Sequence, residues 1–106
     1  MTFQPACALA DLGDGSATRV VLDDVPICLV RAGDDVYAIS DVCSHADVSL
    51  SEGDVDGRTI ECWLHGSRFD LATGRPTGLP ATHPVPVYPV RLEGDTVLVD
   101  VTKDAL

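Results

Sequence analysis

Two short motifs contain the residues best suited to chemistry in this chain, and both have the composition of a metal site. Cys43-Ser44-His45 is followed, after sixteen intervening residues, by Cys62-Trp63-Leu64-His65. A single cysteine or histidine is usually a core or surface residue, but a thiol and an imidazole that recur together at ligand spacing indicate a bound metal. Zinc sites with two cysteines and two histidines usually pair like ligands. Here each motif offers one of each kind, which favours a two-iron cluster with mixed ligation over zinc.

The segments on either side of the motifs have the patterns of short β-strands. Apolar residues alternate with polar ones, or run on for about four positions, between turn-forming dipeptides. The strand-like segments are Thr18–Leu22, Ile27–Val30, Asp35–Ile39, one containing Tyr88, Val90 and Leu92, and one containing Val97, Val99 and Val101. The turn dipeptides are Asp14-Gly15, Gly33-Asp34, Asp56-Gly57 and Gly94-Asp95. Only Ala8–Leu12 could form a short helical turn, so we expect an all-β fold, a small sandwich or barrel.

Two regions interrupt this strand pattern and offer room for a site. Asp41–His65 contains six acidic residues and a single basic one, Arg58. Such a run is either a solvated face or a docking surface for a protein with a basic patch, and the sequence leaves both open. Gly74–Pro89 contains five prolines and two glycines, which predicts a stiff surface loop.

Length and charge exclude several classes of function. The chain has 106 residues, enough for one domain, and 17 acidic against 7 basic residues give a net charge of −10. Such a charge disfavours nucleic-acid binding, and no apolar run approaches the roughly 20 residues of a membrane span. The start of the chain has no signal-peptide pattern, so we expect a cytoplasmic protein that is not bound to a membrane. We also expect a monomer.

The sequence resembles the Rieske iron–sulfur proteins, most closely the small ferredoxins of bacterial ring-hydroxylating dioxygenases, including an actinobacterial type associated with iron–sulfur assembly genes. The resemblance rests on the two motifs and on Gly66, Phe69-Asp70 and Thr73-Gly74 after the second motif. It implies small antiparallel sheets and one [2Fe-2S] cluster. Cys43 and Cys62 would bind the buried ferric iron, and His45 and His65 the outer, reducible iron. A cluster-binding subdomain, residues 43–75, would be inserted in a basal β-sandwich made of residues 1–42 and 76–106.

The resemblance also implies a role. The protein would be a soluble one-electron carrier and not an enzyme, taking electrons from a flavoprotein ferredoxin reductase and passing them to the terminal component of an oxygenase or to another acceptor. Three alternatives remain open at this point: a ferredoxin for iron–sulfur cluster assembly, a module like the small subunit of nitrite reductase, and a zinc-stabilised binding module.

Four residues are expected to tune the cluster. Ser67 stands where high-potential relatives have a serine that bonds to the cluster, whereas Phe69 replaces their tyrosine and lacks its hydroxyl. Pro80 lies in a proline-rich segment, Gly78–Pro84, that resembles the loop covering the cluster in this family. Trp63 either packs beneath the cluster or belongs to the docking face. We therefore predict a low-to-intermediate potential with a small increase from Ser67.

Three further residues fall outside the ligand pattern. Cys7 and Cys28 lie in apolar, strand-like surroundings and are predicted to be buried free thiols. A disulfide between them would need an oxidising compartment, which nothing else in the sequence indicates. His83 is predicted to be a solvated histidine of the proline-rich loop.

Overall fold

The computed structural model describes residues 3–33, 35–42, 48–63, 66–77 and 83–101. Within these ranges the regular structure is ten β-strands and two short 3-10 turns, Leu9–Asp11 and Leu50–Glu52, and no α-helix occurs. The strands are β1 (Gln4–Ala8), β2 (Ala17–Leu22), β3 (Val25–Ala32), β4 (Asp35–Ser40), β5 (Asp54–Asp56), β6 (Thr59–Glu61), β7 (Arg68–Asp70), β8 (Val87–Tyr88), β9 (Val90–Glu93) and β10 (Thr96–Val99). The predicted all-β fold is confirmed.

All the strands belong to three antiparallel sheets. One sheet joins the two ends of the chain in the order β1-β10-β9. The second has the order β2-β3-β4-β8, and β3, with eight residues, is the longest strand in it. The third, β5-β6-β7, is built from strands of only three residues each.

The middle sheet separates two apolar cores because β3 is buried on both faces. Successive side chains of a strand point to opposite faces, so the continuous apolar run of β3 supplies both sides. Cys28 and Val30 pack in the core shared with the three-residue strands, while Ile27 and Leu29 pack in the core shared with β10. The other buried members of the first core are Ile39, Leu50, Ile60, Cys62, Phe69, Leu71, Val85 and Val87.

The small sheet has one apolar and one charged face. Val55, Ile60 and Phe69 are opposite one another across β5, β6 and β7, and all three contribute to the first core. The neighbouring row on the other face consists of Asp54, Glu61 and Arg68. This sheet therefore packs through three apolar side chains and presents charge to solvent.

The sequence predicts the long strands well and the short ones poorly. The segments around Thr18, Ile27 and Asp35 fall inside β2, β3 and β4, and Leu9–Asp11 forms the expected helical turn. Asp41–His65 was expected to interrupt the strands, yet it contains β5 and β6. Their three-residue length leaves no periodicity to detect, because at least four residues are needed to show alternation.

Two further features differ from the expectation. Tyr88, Val90 and Leu92 do not share one strand, since Pro89 separates β8 of the middle sheet from β9 of the terminal sheet. Leu92 is 44% exposed. The β2–β3 hairpin turns at Asp23-Asp24, where both residues have positive φ angles of 50° and 64°, although the pair contains no glycine. Aspartate tolerates this conformation better than most residues.

No helix among the residues described has the length and apolar composition needed to span a membrane.

Candidate metal centre

Of the four candidate ligands, Cys62 lies within the described structure. Cys43, His45 and His65 lie outside the described residues, as does Pro80. Among the residues that are described, no three histidine, cysteine or acidic side chains lie close enough together to bind a metal ion. Within the described residues, the site is defined by Cys62 and by the bases of the segments that contain the other candidates.

Cys62 follows β6 directly and is completely buried in the first core. Its backbone N–H donates a hydrogen bond to the Ser67 carbonyl at 2.6 Å, and its carbonyl accepts one from the Gly66 N–H at 2.9 Å. Gly66 has a φ of +75°, a conformation that favours glycine. The chain thus reverses tightly between Cys62 and Ser67, and two backbone hydrogen bonds close the base of the segment that includes His65.

A second close contact fixes the chain just before Cys62. A Cβ atom at Gly53 would collide with the carbonyl oxygen of Glu61, and the φ of Gly53 is −87°. Glycine is therefore required here by the proximity of the Glu61 backbone and not by its own conformation. The absence of a side chain at Gly53 lets the start of β5 lie directly against the end of β6.

The segment that includes Cys43 and His45 also has a well-defined base. Val42 and Ser49 form an isolated antiparallel bridge across it. Just outside the bridge, the Leu50 N–H donates to the Asp41 carbonyl at 2.7 Å, and the Ser51 N–H donates to the Asp41 carboxylate at 2.8 Å. A side chain, and not only the backbone, closes this base.

The proline-rich segment, residues 78–84, starts and ends beside β7. The Thr77 N–H donates to the Arg68 carbonyl at 2.7 Å, and the Val85 N–H donates to the Gly74 carbonyl at 2.8 Å. Gly74 has a φ of +75°, and a Cβ atom there would collide with the Val85 carbonyl. One end of the segment is therefore held at β7 and the other at the turn that follows β7.

One core connects the three bases. Leu50, Cys62, Phe69 and Val85, each from or next to one of them, are buried in the same apolar cluster. Segments that are distant in sequence thus emerge from a shared support, as a site with ligands from two motifs requires.

The described tuning candidates occupy different environments. The side chain of Phe69 is in the first core, and Ser67 is buried immediately after the Cys62 reversal. Trp63 is 52% exposed although the adjacent Cys62 is fully buried. Trp63 therefore lies at the surface next to a buried cysteine of the candidate site.

The cysteines outside the motifs are free thiols. Cys28 is fully buried in the first core, and burial, followed by the nearby Asp41 carboxylate, strongly raises its pKa. Cys7 is only partly buried, so the expected burial is complete for Cys28 alone; burial and then Asp11 raise the pKa of Cys7. Both thiols are held in the protonated, less reactive form at neutral pH. His83 is exposed at the surface, as expected.

Sequence reasoning missed two residues of the support. In the sequence Asp41 is one member of an acidic run, yet in the structure it is 1% exposed. Arg19 is one residue of a predicted strand, and in the structure its Nε donates to the Asp41 carboxylate at 3.1 Å. The only sequence signal for Asp41 is its position, two residues before Cys43. A buried carboxylate and a surface carboxylate at that position have the same sequence.

Comparison with known proteins gives a consistent result. A model of the Rieske [2Fe-2S] domain matches residues 2–89. The chain is 45% identical, over 96 residues and 90% of each protein, to the 3-phenylpropionate/cinnamic acid dioxygenase ferredoxin subunit of Escherichia coli. Its fold is similar to that of the ferredoxin of carbazole 1,9a-dioxygenase from Nocardioides aromaticivorans, with a TM-score of 0.90 and 42% identity over 93% of this chain and 97% of that one.

A further solved structure is a complex of reduced oxygenase and oxidized ferredoxin in carbazole 1,9a-dioxygenase. One of its chains is similar to this protein with a TM-score of 0.90 and 37% identity, over 98% of this chain and 96% of that chain.

The donor groups fit a [2Fe-2S] cluster. Thiolates are soft ligands that suit iron–sulfur clusters, and imidazoles replace two of them in the mixed-ligand type. Cys62 is enclosed by apolar side chains, an environment that shields a cluster from water, while the neighbouring Trp63 is at the surface. The residues are thus arranged with a buried thiol side and an accessible side.

Proposed function

The chain belongs to the Rieske [2Fe-2S] domain family, and we propose that it takes electrons from a flavoprotein ferredoxin reductase and passes them to the terminal component of an oxygenase. It is a ferredoxin that binds one [2Fe-2S] cluster and carries electrons, as its relatives do, and it is not itself a catalytic enzyme. The cluster, when bound, supplies reversible one-electron chemistry. The residues of the chain bind it, set its potential and present it to partners.

Cys43 and Cys62 would hold the buried iron and His45 and His65 the outer iron. The observation that best supports this assignment is the burial of Cys62 in the core to which the bases of both motifs contribute. With two ferric ions, two sulfides and two thiolates, neutral imidazoles give the oxidised centre no net charge, whereas four thiolates give −2. An added electron therefore costs less, which places the potential in the range of about −150 to +300 mV.

Residues 43–75 would form the cluster-binding subdomain on a base made of residues 1–42 and 76–106. This division is supported by the sheet order, since β5-β6-β7 lies wholly inside the first range. The terminal sheet, β1-β10-β9, combines strands from both ends of the chain.

The accessible side of the site suits a protein partner with an apolar depression and a basic surround. Trp63 is the large exposed apolar residue next to Cys62, and Val42, 42% exposed, is next to Cys43. The nearby outer face of β5-β6-β7 contains Asp54, Glu61 and Arg68 in one row and Asp56, Thr59 and Asp70 in the next. Four carboxylates and one guanidinium leave this face acidic, so opposite charge would speed association.

We assign the protein to the cytoplasm and expect it to act as a monomer. The free thiols Cys7 and Cys28 support a reducing compartment. Iron–sulfur assembly remains the alternative destination for the electrons, and the partner tests below distinguish the two.

The ligand assignment is tested by replacing each ligand singly with alanine. Cys43→Ala, His45→Ala, Cys62→Ala and His65→Ala should each lose the visible spectrum and the roughly two irons per chain of the wild type. Cys28→Ala is the matched control, because its thiol is equally buried in the same core but should not bind iron. Pulsed EPR of the reduced wild type should show coupling to histidine nitrogen. A signal that still shows two coupled histidines in either histidine variant would refute the assignment.

The partner assignment is tested by stopped-flow reduction and reoxidation over a range of ionic strength. Reduction by an NADH-coupled flavoprotein reductase and reoxidation by a terminal oxygenase should both slow as salt increases. The double variant Asp54→Asn, Asp56→Asn should be several-fold slower at low salt. The control variant Asp23→Asn, Asp24→Asn removes the same amount of charge from the β2–β3 turn. Its rates should equal those of the wild type. Rates independent of both salt and Asp54 would refute docking at this face, and transfer only to an assembly protein would favour the alternative.

A further inference from the structure

We propose that Asp41 is a positioning residue for the cluster. Its buried carboxylate, held by Arg19, fixes the point from which Cys43 and His45 follow and thereby sets the geometry of these two ligands. This inference rests on the proposed ligand set.

Every polar group of Asp41 is engaged. Its carboxylate accepts a hydrogen bond from the Ser51 N–H at 2.8 Å through one oxygen and from the Arg19 Nε–H at 3.1 Å through the other. Its backbone N–H donates to the Pro26 carbonyl at 3.0 Å, and its carbonyl accepts from the Leu50 N–H at 2.7 Å. One residue therefore joins three parts of the chain.

The carboxylate connects segments that no sheet joins. Arg19 belongs to β2, whose backbone pairs with β3 only, and Ser51 belongs to the 3-10 turn Leu50–Glu52. The two oxygens of one carboxylate bring these segments to a common point two residues before Cys43. Without them, the base would keep its backbone contacts, the bridge between Val42 and Ser49 and the bond from the Leu50 N–H to the Asp41 carbonyl, but it would lose its connection to Arg19.

Energetics favour a geometric role over a purely stabilising one. Asp41 is 1% exposed, and burying a carboxylate is costly, while an apolar residue of similar size would stabilise a core as well or better. The partner, Arg19, is 54% exposed, so solvent weakens their attraction. The carboxylate also fixes the orientation of Asp41, because its two oxygens must each face a donor at a fixed position.

The base around Cys62 differs from the base of the Cys43 segment. There the chain is closed by backbone hydrogen bonds between Cys62, Gly66 and Ser67. The base of the other ligand segment depends on a side chain, so a single substitution can loosen it without altering a ligand. Residues next to the ligands of metal sites commonly act in this way.

The test compares Asp41→Asn with Asp100→Asn in the full chain. Asparagine keeps the size of aspartate but replaces one of the two carboxylate oxygens with a donor amide, so either the Ser51 N–H or the Arg19 Nε–H would face a donor. Asp100 is also fully buried but lies at the end of β10, away from the ligand motifs in sequence and sheet, and serves as the matched control. Arg19→Gln, at a half-exposed position, tests the same contact if Asp41→Asn folds poorly.

For Asp41→Asn we expect roughly tenfold faster cluster loss to a chelator and a changed or broadened EPR spectrum of the reduced protein. Arg19→Gln should show a smaller change of the same kind, and Asp100→Asn should keep the wild-type spectrum even if it melts at a lower temperature. An unchanged spectrum and loss rate in Asp41→Asn, or equal effects in Asp41→Asn and Asp100→Asn, would overturn the inference alone. A wild-type chain that binds no cluster would overturn the proposed function together with it.

Discussion

The middle sheet and the small sheet hold themselves together in different ways. In β2, β3 and β4 the strands have six to eight residues, and β3 contributes side chains to both cores. In β5, β6 and β7 three-residue strands provide a single apolar row, and their position depends on close backbone contacts such as that of Gly53 with Glu61. Long strands tolerate change because many side chains share the packing. The short strands depend on a few close contacts, such as that of Gly53, at which no larger residue fits.

The largest expected effect is a loss of stability at Gly53, at the start of β5. Comparison with Gly57, after the end of β5, separates the cost of a steric collision from the cost of a positive φ angle. Gly53→Ala should lower the free energy of unfolding by about 3 kcal/mol, because its methyl group would collide with the Glu61 backbone. Gly57→Ala should cost only about 1 kcal/mol, since its φ is +59° but nothing lies within 4 Å of the added methyl group.

Chemical denaturation measures both costs, and iron content after purification measures the effect on the site. Gly53→Ala should also reduce cluster occupancy, whereas Gly57→Ala should not. Equal costs for the two variants would mean that the contact beneath Cys62 does not position the small sheet.

Trp63 tests whether the end of the small sheet contributes to recognition without contributing to stability. Replacing an aromatic anchor at the centre of an interface typically costs about 2 kcal/mol of binding, or roughly 30-fold in Kd. Trp63→Ala should therefore weaken binding to the oxygenase by about this factor, measured by titration calorimetry, while leaving the cluster spectrum unchanged. Leu92→Ala removes a similarly exposed apolar side chain from β9 and should leave Kd unchanged. A normal Kd for Trp63→Ala would exclude it from the docking surface.

Ser67 tests whether the segment that follows Cys62 influences the midpoint reduction potential of the cluster. Its side chain is buried directly after the Cys62 reversal. If its hydroxyl stabilises the reduced cluster by about 1 kcal/mol more than the oxidised cluster, Ser67→Ala should lower the midpoint potential by roughly 40 mV. Protein-film voltammetry would measure this change, with Ser16→Ala as the control, because the Ser16 hydroxyl donates to the Gly13 carbonyl between β1 and β2. A midpoint that does not move would remove Ser67 from the tuning residues.

The smallest effect belongs to the middle sheet. Asp24 adopts a φ of 64° in the two-residue β2–β3 turn, where glycine would be unstrained. Asp24→Gly should raise the free energy of unfolding by about 0.5 kcal/mol, because the relief of strain exceeds the entropy gained by the unfolded chain. Thermal melting would detect the gain, and the midpoint potential should stay constant. A shift in the midpoint potential of Asp24→Gly would show that the β2–β3 turn influences the cluster.

Much of the fold is readable from the sequence because long strands have enough residues to show a pattern. The apolar run of Ile27–Val30 predicts a buried strand, and Val97 and Val99 predict one face of another, and both predictions are confirmed. The three-residue strands and the turn at Asp23-Asp24 have no comparable signal. The break at Pro89, which sends β8 and β9 to different sheets, could not be placed from alternation that continues across it.

For the site, the residue types predict the chemistry: two thiols and two imidazoles lie at a spacing typical of mixed ligation, as in the family to which the chain belongs. Ligand type depends only on side-chain identity and local spacing. The surroundings of these residues are visible only in the packed fold: the Asp41 carboxylate lies between Arg19 and Ser51, Gly53 contacts Glu61, and Trp63 is exposed beside buried Cys62. Burial and partnership arise between segments distant in sequence, so they exist only once the three sheets have packed.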